Sequence, residues 1–267
     1  NNGVLKLSKI GEMPVIMHRP IPDGFTLKTC TIVHKADGWY CCISIQDETV
    51  PEPIPLDEVK TAVGIDVGLK EFLTTSEGET VPIQQTYRKT QSHLARQQRK
   101  LARKDKGSNR SNKQKNKLAR IHQRIGRIRE NFHYKTAHNL VKKYDLMAVE
   151  DLNIKGLART RLSKSILDAA WGRFITILDT VAVKCGVRVV KVSPHGTSQN
   201  CSSCGAKVPK TLSIRLHECH KCGLEMDRDE NAARNILDRA LNEVGLILST
   251  HGGLGDAQPV KCEAFSD

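Results

Sequence analysis

The stretch NCSSCGAKVPKTLSIRLHECHKCGLEMDRDENAARNIL, residues 200–237, places two kinds of metal-binding chemistry side by side. Two CxxC pairs, separated by fourteen residues, contribute the cysteines Cys201, Cys204, Cys219 and Cys222. Four thiolates at this spacing close a tetrahedral site and leave no position for water, so the pattern predicts a structural Zn²⁺ site. His217 and His220 flank the second pair and either could replace a cysteine, although the four-cysteine set is complete without them.

Acidic residues follow these cysteines and recur at the ends of two predicted strands. Asp227 and Asp229 precede a run of Ala, Asn, Ile and Leu that predicts a helix. Asp66 ends the apolar run of GIDVG, and Glu150 ends the short apolar run LMAV. Carboxylates from separate elements are the oxygen ligands with which two Mg²⁺ or Mn²⁺ ions promote phosphodiester hydrolysis. Taken singly, each acid is also explained as a turn former or a helix cap.

The charge of the chain is strongly basic and is concentrated in one segment. Lys and Arg number 42 against 29 Asp and Glu, a formal net charge of +13 that favours an anionic partner, nucleic acid before a membrane. Residues 88–129 hold sixteen Lys and Arg and one acid. Apolar residues recur there at helical spacing and residues 104–112 interrupt them, so residues 86–141 predict a basic helical hairpin.

A segment of one charge repels itself unless phosphates neutralise it, so we expect this hairpin to bind nucleic acid rather than to be only a solvated face. The residues expected to make these contacts are Arg96, Arg99, Lys100, Arg103, Arg120, Arg124 and Arg127.

The remaining sequence predicts an α/β fold. Residues 1–54 are β-rich, with a hairpin turn before GWY, and residues 61–81 predict three strands joined by turns. SKSILDAAWGRFITILDTVAVKCG predicts a single helix, capped by Ser163 or Ser165 and ended by its final glycine. VRVVKVS predicts a further strand before the cysteine-rich stretch.

Hydropathy and the cysteine pattern indicate in which cellular compartment the protein is expected. No run of 18 apolar residues occurs, and the N-terminus lacks the apolar core of a signal peptide. The chain has 267 residues and nine cysteines, four of them at metal spacing, which favours a reducing compartment. The first residue is not Met, so we expect a processed chain or a fragment. The Gly-rich residues 246–267 predict a disordered tail.

Three motifs together resemble one protein family. The chain is similar to the transposon-encoded TnpB (OrfB) proteins, RNA-guided nucleases related to type V CRISPR effectors. The motifs that carry the similarity are GIDVGLKEF, AVEDLNIKGL and the two CxxC pairs joined to DRDENAARNIL. The resemblance covers about residues 5–245 and implies an RNase H-like (RuvC) nuclease core, formed by residues 56–199 and 224–245, with the basic hairpin as an insertion. It also implies an inserted zinc ribbon at residues 200–223 and the β-rich last part of a wedge domain at residues 1–55.

The resemblance also implies roles for the acidic residues. Asp66 corresponds to the first catalytic acid, Glu150 to the second and Asp229 to the third, because Asp229 rather than Asp227 directly precedes the x-Asn-Ala-Ala motif. The implied cofactors are structural Zn²⁺ and catalytic Mg²⁺ or Mn²⁺. The implied partners are a guide RNA and target double-stranded DNA in the prokaryotic cytoplasm, at the nucleoid, with no membrane. Family members carry a further N-terminal recognition region, so target recognition by this chain alone is expected to be incomplete.

Two other functions stay open on the sequence alone. One is a guide-RNA-bound DNA binder that does not cleave, which the presence of all three acids disfavours. The other is a transposase that joins strands, because the same carboxylate chemistry supports strand transfer. Free cut ends, joined products or binding alone would separate the three functions.

Overall fold

The structure is a computed structural model that describes residues 2–21, 23–48, 50–211 and 214–246. The chain divides into two compact units. The first unit comprises residues 1–50 and 97–123, and the second comprises residues 51–96 and 124–267. Within the described ranges, no helix has the length and apolar character needed to span a bilayer.

The regular elements are named in chain order. The strands are β1 (Asn2–Leu7), β2 (Gly11–Ile16), β3 (Thr26–Lys35), β4 (Gly38–Gln46), β5 (Ala62–Val67), β6 (Glu71–Thr75), β7 (Thr80–Pro82), β8 (Leu146–Glu150), β9 (Arg188–Val192), β10 (Leu216–Glu218) and β11 (Glu225–Asp227). The helices are α1 (Thr86–Ala102), α2 (Asn109–Val141), α3 (Ile154–Leu157), α4 (Ser163–Ala169), α5 (Trp171–Lys184) and α6 (Arg228–Val244).

Antiparallel hairpins and helical segments form the first unit. β3 pairs with β4 across the predicted hairpin turn, and β1 pairs with β2 in a second hairpin that the sequence did not predict. The amide of Gln114 donates to Gln97 at 2.9 Å and joins the α1 and α2 segments. Arg120 and Gln123 of α2 donate to the turn between β3 and β4, at the Ala36 carbonyl and the Asp37 carboxylate. The predicted helical hairpin is therefore present, although α2 begins at Asn109, inside the segment predicted to be a turn.

A mixed five-stranded sheet forms the centre of the second unit, in the order β7-β6-β5-β8-β9. β5, β8 and β9 are parallel, whereas β6 and β7 pair antiparallel at one edge. Parallel neighbours require crossover connections, and helices supply them here: α1 and α2 lie in sequence between β5 and β8, and α4 and α5 lie between β8 and β9. The fold is therefore mixed α/β, as the sequence predicts.

Helices cover both faces of this sheet. On one face, Val63, Ile65 and Val149 pack in the main core with residues of α2, α4 and α5. On the other face, α6 packs so closely on β5 that a Cβ built on Gly64 would lie 1.9 Å from the Ala233 carbonyl oxygen. Only glycine fits at this crossing, which explains the glycine two residues before Asp66.

The predicted single helix over residues 163–185 is wrong, because the structure has two. Ala170 adopts a left-handed conformation with φ of 54° and ends α4, and α5 starts directly after it. Asp168 accepts hydrogen bonds from the backbone N–H groups of Tyr87 and Arg88, and the Ala169 carbonyl lies 3.0 Å from His133 Nε2. These partners from other elements fix the end of α4. The predicted serine cap is also wrong, since the first residue before α4 is Leu162 and has no side-chain cap.

The C-terminal helix, which the sequence predicts over about residues 231–244, starts earlier. α6 begins at Arg228 and ends at Val244, where Gly245 adopts a left-handed cap conformation. The predicted disordered tail falls, from residue 247 onward, outside the described residues.

Candidate functional site

Two of the predicted acids lie at the carboxyl ends of adjacent strands. β5 and β8 pair in parallel up to Ile65 and Val149, so the next residues, Asp66 and Glu150, lie side by side in the same register. Glu150 is the last residue of β8, and Asp66 is the last but one of β5. Side chains alternate along a strand, so Asp66 shares the face of Gly64, which is the face that α6 covers. Both carboxylates are therefore presented from the rigid carboxyl edge of the sheet toward α6.

The start of α6 provides the third acid. Asp227 is the N-cap residue, and its carboxylate accepts hydrogen bonds from the backbone N–H of Asp229 at 2.7 Å and of Glu230 at 3.4 Å. Asp229 is 9% exposed and pairs with Arg215 at 3.1 Å and with Arg228 at 3.0 Å. The two aspartates thus have different tasks, since one caps the helix and the other forms a partly buried ion-pair cluster.

The electrostatics place the three predicted acids in one neighbourhood. Burial raises the pKa of the Asp66 carboxyl well above its ordinary value, and the charges of Glu150 and Asp229 raise it further, whereas Arg228 lowers it. Burial also raises the pKa of Glu150, against the opposing effects of a Thr197 hydrogen bond and the charge of Arg239. A bound cation stabilises buried carboxylates of this kind, because it offsets the repulsion between their negative charges.

The acids do not yet converge as closely as the cysteines do. Among the residues that the structure describes, the one group of at least three potential ligands whose donor atoms all lie within 4.8 Å of one another is the four-cysteine cluster. Arg215 and Arg228 occupy the Asp229 carboxylate oxygens instead.

Thr197 is a polar partner of this site that the sequence did not reveal. Its side-chain Oγ1 donates to Oε1 of Glu150 at 2.5 Å, and the residue is 1% exposed. Arg215, which comes from the cysteine-rich segment, was missed in the same way. The position of Thr197 just before the first CxxC pair is the signal that could have singled it out.

The four cysteines have the spacing of a tetrahedral zinc site. Sγ of Cys201 lies 3.6 Å from Sγ of Cys222, and Sγ of Cys204 lies 3.6 Å from Sγ of Cys219. Ligands about 2.3 Å from one tetrahedral ion are separated by about 3.8 Å, so the cluster could hold zinc without rearrangement. Backbone N–H groups of Cys222 and Lys221 lower the pKa of the Cys219 thiol to about 6, against the effect of its burial. In the same cluster, a backbone hydrogen bond with Ala206 lowers the pKa of the Cys204 thiol, but burial and the neighbouring thiols outweigh it and raise this pKa to about 11.

The two cysteine knuckles repeat the same backbone geometry. Gly205 donates to the Cys201 carbonyl and Gly223 donates to the Cys219 carbonyl, each glycine having a φ near +70°. β10 and β11 pair antiparallel on either side of the second knuckle. His217 is buried and contacts Lys210, and His220 is exposed, and neither belongs to the cysteine cluster.

The predicted nucleic-acid contacts lie on the surface of their helices. All seven side chains are exposed, namely Arg96, Arg99, Lys100, Arg103, Arg120, Arg124 and Arg127. Their neighbours on the same turns include buried residues such as Leu94 and Ile125, so each helix has an apolar side and a basic side.

Two family matches together cover the acidic residues and the cysteines described above. Residues 42–161 match the OrfB (IS605) family, described as a probable transposase, and residues 171–236 match the Cas12f1-like TNB domain. These two matches contain the three acids and the four cysteines. The chain belongs to the TnpB (OrfB) family.

Relatives of this TnpB-family chain are longer than the chain itself. A protein of Streptomyces pristinaespiralis, provisionally named an RNA-guided DNA endonuclease, is 34% identical over 247 residues, which cover 90% of this chain and 60% of the relative. The TnpB-like protein L79 of Acanthamoeba polyphaga mimivirus is 32% identical over 206 residues, which cover 70% of this chain and 39% of the relative. The chain thus spans about half of the length of these two relatives.

Solved structures share the fold. A cryo-EM structure of a CRISPR-Cas12f ternary complex matches 80% of this chain and 44% of its own chain, with a TM-score of 0.50 and 19% identity. This likeness supports a common α/β architecture.

Proposed function

We propose that this TnpB-family chain acts as an RNA-guided DNA endonuclease with an RNase H-like (RuvC) core. The observation that carries the proposal is the placement of three acids. Asp66 and Glu150 lie at the carboxyl ends of adjacent parallel strands, and α6 crosses the same sheet face at Gly64 with Asp229 in its first turn. Three carboxylates from separate rigid elements are the ligand set for two divalent metal ions.

The proposed division of labour follows from the positions of these side chains. Mg²⁺ or Mn²⁺ bound there would activate a water and stabilise the leaving 3′ oxygen of a DNA phosphodiester. Asp66 and Glu150 hold their ligand oxygens on the sheet edge, where little movement is possible. Arg215 and Arg228 release Asp229 toward the metal and can then contact the phosphate that enters the site, since guanidinium groups match phosphate oxygens.

The other parts of the chain have supporting tasks in this proposal. The four-cysteine ribbon holds structural Zn²⁺ and fixes the loop beside α6. The basic helical hairpin binds guide RNA and the RNA–DNA heteroduplex through phosphates, and residues 1–55 are the last part of a wedge domain. The name of the Streptomyces relative, provisionally an RNA-guided DNA endonuclease, supports a guide RNA and target DNA as partners. We infer that the target is double-stranded DNA and that the chain acts on it at the nucleoid, in the cytoplasm.

The test begins with the RNA that copurifies with the protein. Its sequence defines a candidate guide, and end-labelled double-stranded DNA with the matching sequence is incubated with the complex under single-turnover conditions. The proposal predicts free cut ends that appear with Mg²⁺ or Mn²⁺ and disappear with EDTA. A mismatched DNA of the same length is the control and should stay intact.

The same assay separates the two other functions. DNA strands joined to one another would show a strand-transferring transposase, and bound but intact DNA would show a cleavage-inactive binder. Either result, obtained with matched DNA and metal present, overturns the proposal.

A further inference from the structure

The hydroxyl of Thr197 has two acceptors within reach and one proton to give. Oε1 of Glu150 lies 2.5 Å from Oγ1, and the Pro194 carbonyl lies 3.2 Å from it. Hydrogen bonds to a carboxylate are shorter and about twice as strong as bonds to neutral acceptors, so the proton lies toward Glu150. No hydrogen bond to Oε2 of Glu150 occurs among the described residues.

Two asparagines of α6 hold the loop that carries Thr197. Asn235 Nδ2 donates to the Thr197 carbonyl at 2.7 Å and to the Asn200 carbonyl at 2.8 Å, which uses both of its amide protons. Asn231 Nδ2 donates to the same Asn200 carbonyl at 2.8 Å, and its Oδ1 accepts from the backbone N–H of Ser202 at 3.0 Å. Asn231 is fully buried. The helix that carries Asp229 therefore fixes both the loop and the first cysteine knuckle.

We propose that Thr197 is a positioning residue for Glu150: it fixes Oε1 and thereby turns Oε2 toward the metal ions of the nuclease site. The inference rests on the proposed function, because it takes Glu150 to be a metal ligand. A carboxylate at a strand end rotates about its side-chain torsions, and an outer hydrogen bond restricts it to the orientation that binds. The route Glu150–Thr197–Asn235 also connects the zinc ribbon to the carboxylate, since Asn235 holds the residue before Cys201.

The experiment compares three variants in the complex with copurified RNA. Thr197→Val removes the hydroxyl and keeps the branched shape, and Thr197→Ser keeps the hydroxyl. Mn²⁺ affinity, measured by titration with electron paramagnetic resonance, should fall about 10- to 100-fold in Thr197→Val and stay near wild type in Thr197→Ser. The cleavage rate constant should fall with it, whereas the affinity for DNA should not change. Thr176→Val is the matched control, because Thr176 is exposed and its hydroxyl donates only to the Gly172 carbonyl of its own helix.

Zinc content and thermal midpoint show whether each variant keeps its fold. If Thr197→Val loses either, Thr197→Ala takes its place and must show the same loss of Mn²⁺ affinity. Unchanged Mn²⁺ affinity in a folded variant that lacks the hydroxyl overturns the role of Thr197, and so does equal loss in Thr197→Ser. Glu150→Gln separates this failure from the larger one: wild-type Mn²⁺ affinity and cleavage in Glu150→Gln would refute the proposed function itself.

Discussion

The contact between α6 and Gly64 gives a prediction whose size follows from the structure. In Gly64→Ala, the new Cβ would lie 1.9 Å from the Ala233 carbonyl oxygen and 2.8 Å from the Leu237 nitrogen. Ordinary contact begins at 3.4 Å, so α6 has to retreat by about 1.5 Å, the difference between 3.4 and 1.9 Å. Both nearest atoms belong to backbone, which cannot move aside as a flexible side chain can.

This retreat affects stability and chemistry together. It opens the packing of Ile236 and Ala240 against Ala148, and overpacking of this kind costs about 1–3 kcal/mol. For a domain of this size, such a loss lowers the thermal midpoint by roughly 2–4 °C per kcal/mol. It also moves Asp229 away from Asp66 and Glu150, and a misplacement of about 1 Å can reduce a catalytic rate roughly 100-fold.

The assay combines thermal unfolding with single-turnover cleavage, at a temperature where both proteins are folded. Gly126→Ala is the matched control, since Gly126 lies in α2 and a Cβ there meets no atom within 4 Å. That exchange should raise helix stability by about 0.5–1 kcal/mol and leave cleavage unchanged. A Gly64→Ala protein with the wild-type midpoint and the wild-type rate would refute the close packing of α6 on β5 as the basis of the site.

Three further predictions concern the zinc ribbon, the basic hairpin and a buried histidine. By mass spectrometry the wild type should contain one zinc per chain and Cys219→Ser none. Cys219→Ser should also cleave less, because metal supplies most of the ribbon's folding energy, on the order of 10 kcal/mol; full cutting by a zinc-free protein would contradict the bracing role. Neutralising the seven hairpin residues predicted to contact nucleic acid should weaken RNA binding and flatten its logarithmic salt dependence by about 0.7–0.9 per lost contact, and an unchanged slope would mean a merely solvated face. Burial lowers the pKa of His133 from 6.5 to about 4, so the unfolded chain takes up this proton first. The free energy of unfolding of the wild type, measured with urea, should therefore fall by at most about 3 kcal/mol relative to that of His133→Gln as the pH is lowered from 6.5 to 4. Above pH 6.5 this contribution to stability is fully present. If the free energies of the two proteins change in parallel with pH, the shift in the pKa of His133 is absent.

Local patterns were enough to predict much of this fold. Alternating apolar residues and turn signals located the β3–β4 hairpin and the strands that carry Asp66 and Glu150 near their carboxyl ends, because these signals depend on neighbours in sequence. The cysteine spacing located the ribbon for the same reason. The break at Ala170 was not predictable, since it depends on contacts from α1 and α2 that lie far away along the chain.

Arg215 and Thr197 were not predicted for the same reason, since their roles also depend on contacts between residues distant in sequence. Arg215 reaches Asp229 and Thr197 reaches Glu150 only after the ribbon and the sheet are packed against α6. A lone threonine or arginine between motifs carries no periodicity that would reveal such a partner. The cap role of Asp227 was likewise hidden, because its hydrogen bonds to the backbone N–H groups of Asp229 and Glu230 are visible only in the folded helix.

The most direct test of the central claim is the cleavage rate of Asp66→Ala, measured with the copurified RNA and its matching DNA. RNA loading and DNA binding are measured in the same preparation, and Glu243→Ala, an exposed acid near the end of α6, is the matched control. We expect Asp66→Ala to lose cleavage and keep nucleic-acid binding, while Glu243→Ala cleaves as the wild type does. Wild-type cleavage by Asp66→Ala with normal RNA loading would show that Asp66 is not part of the catalytic site.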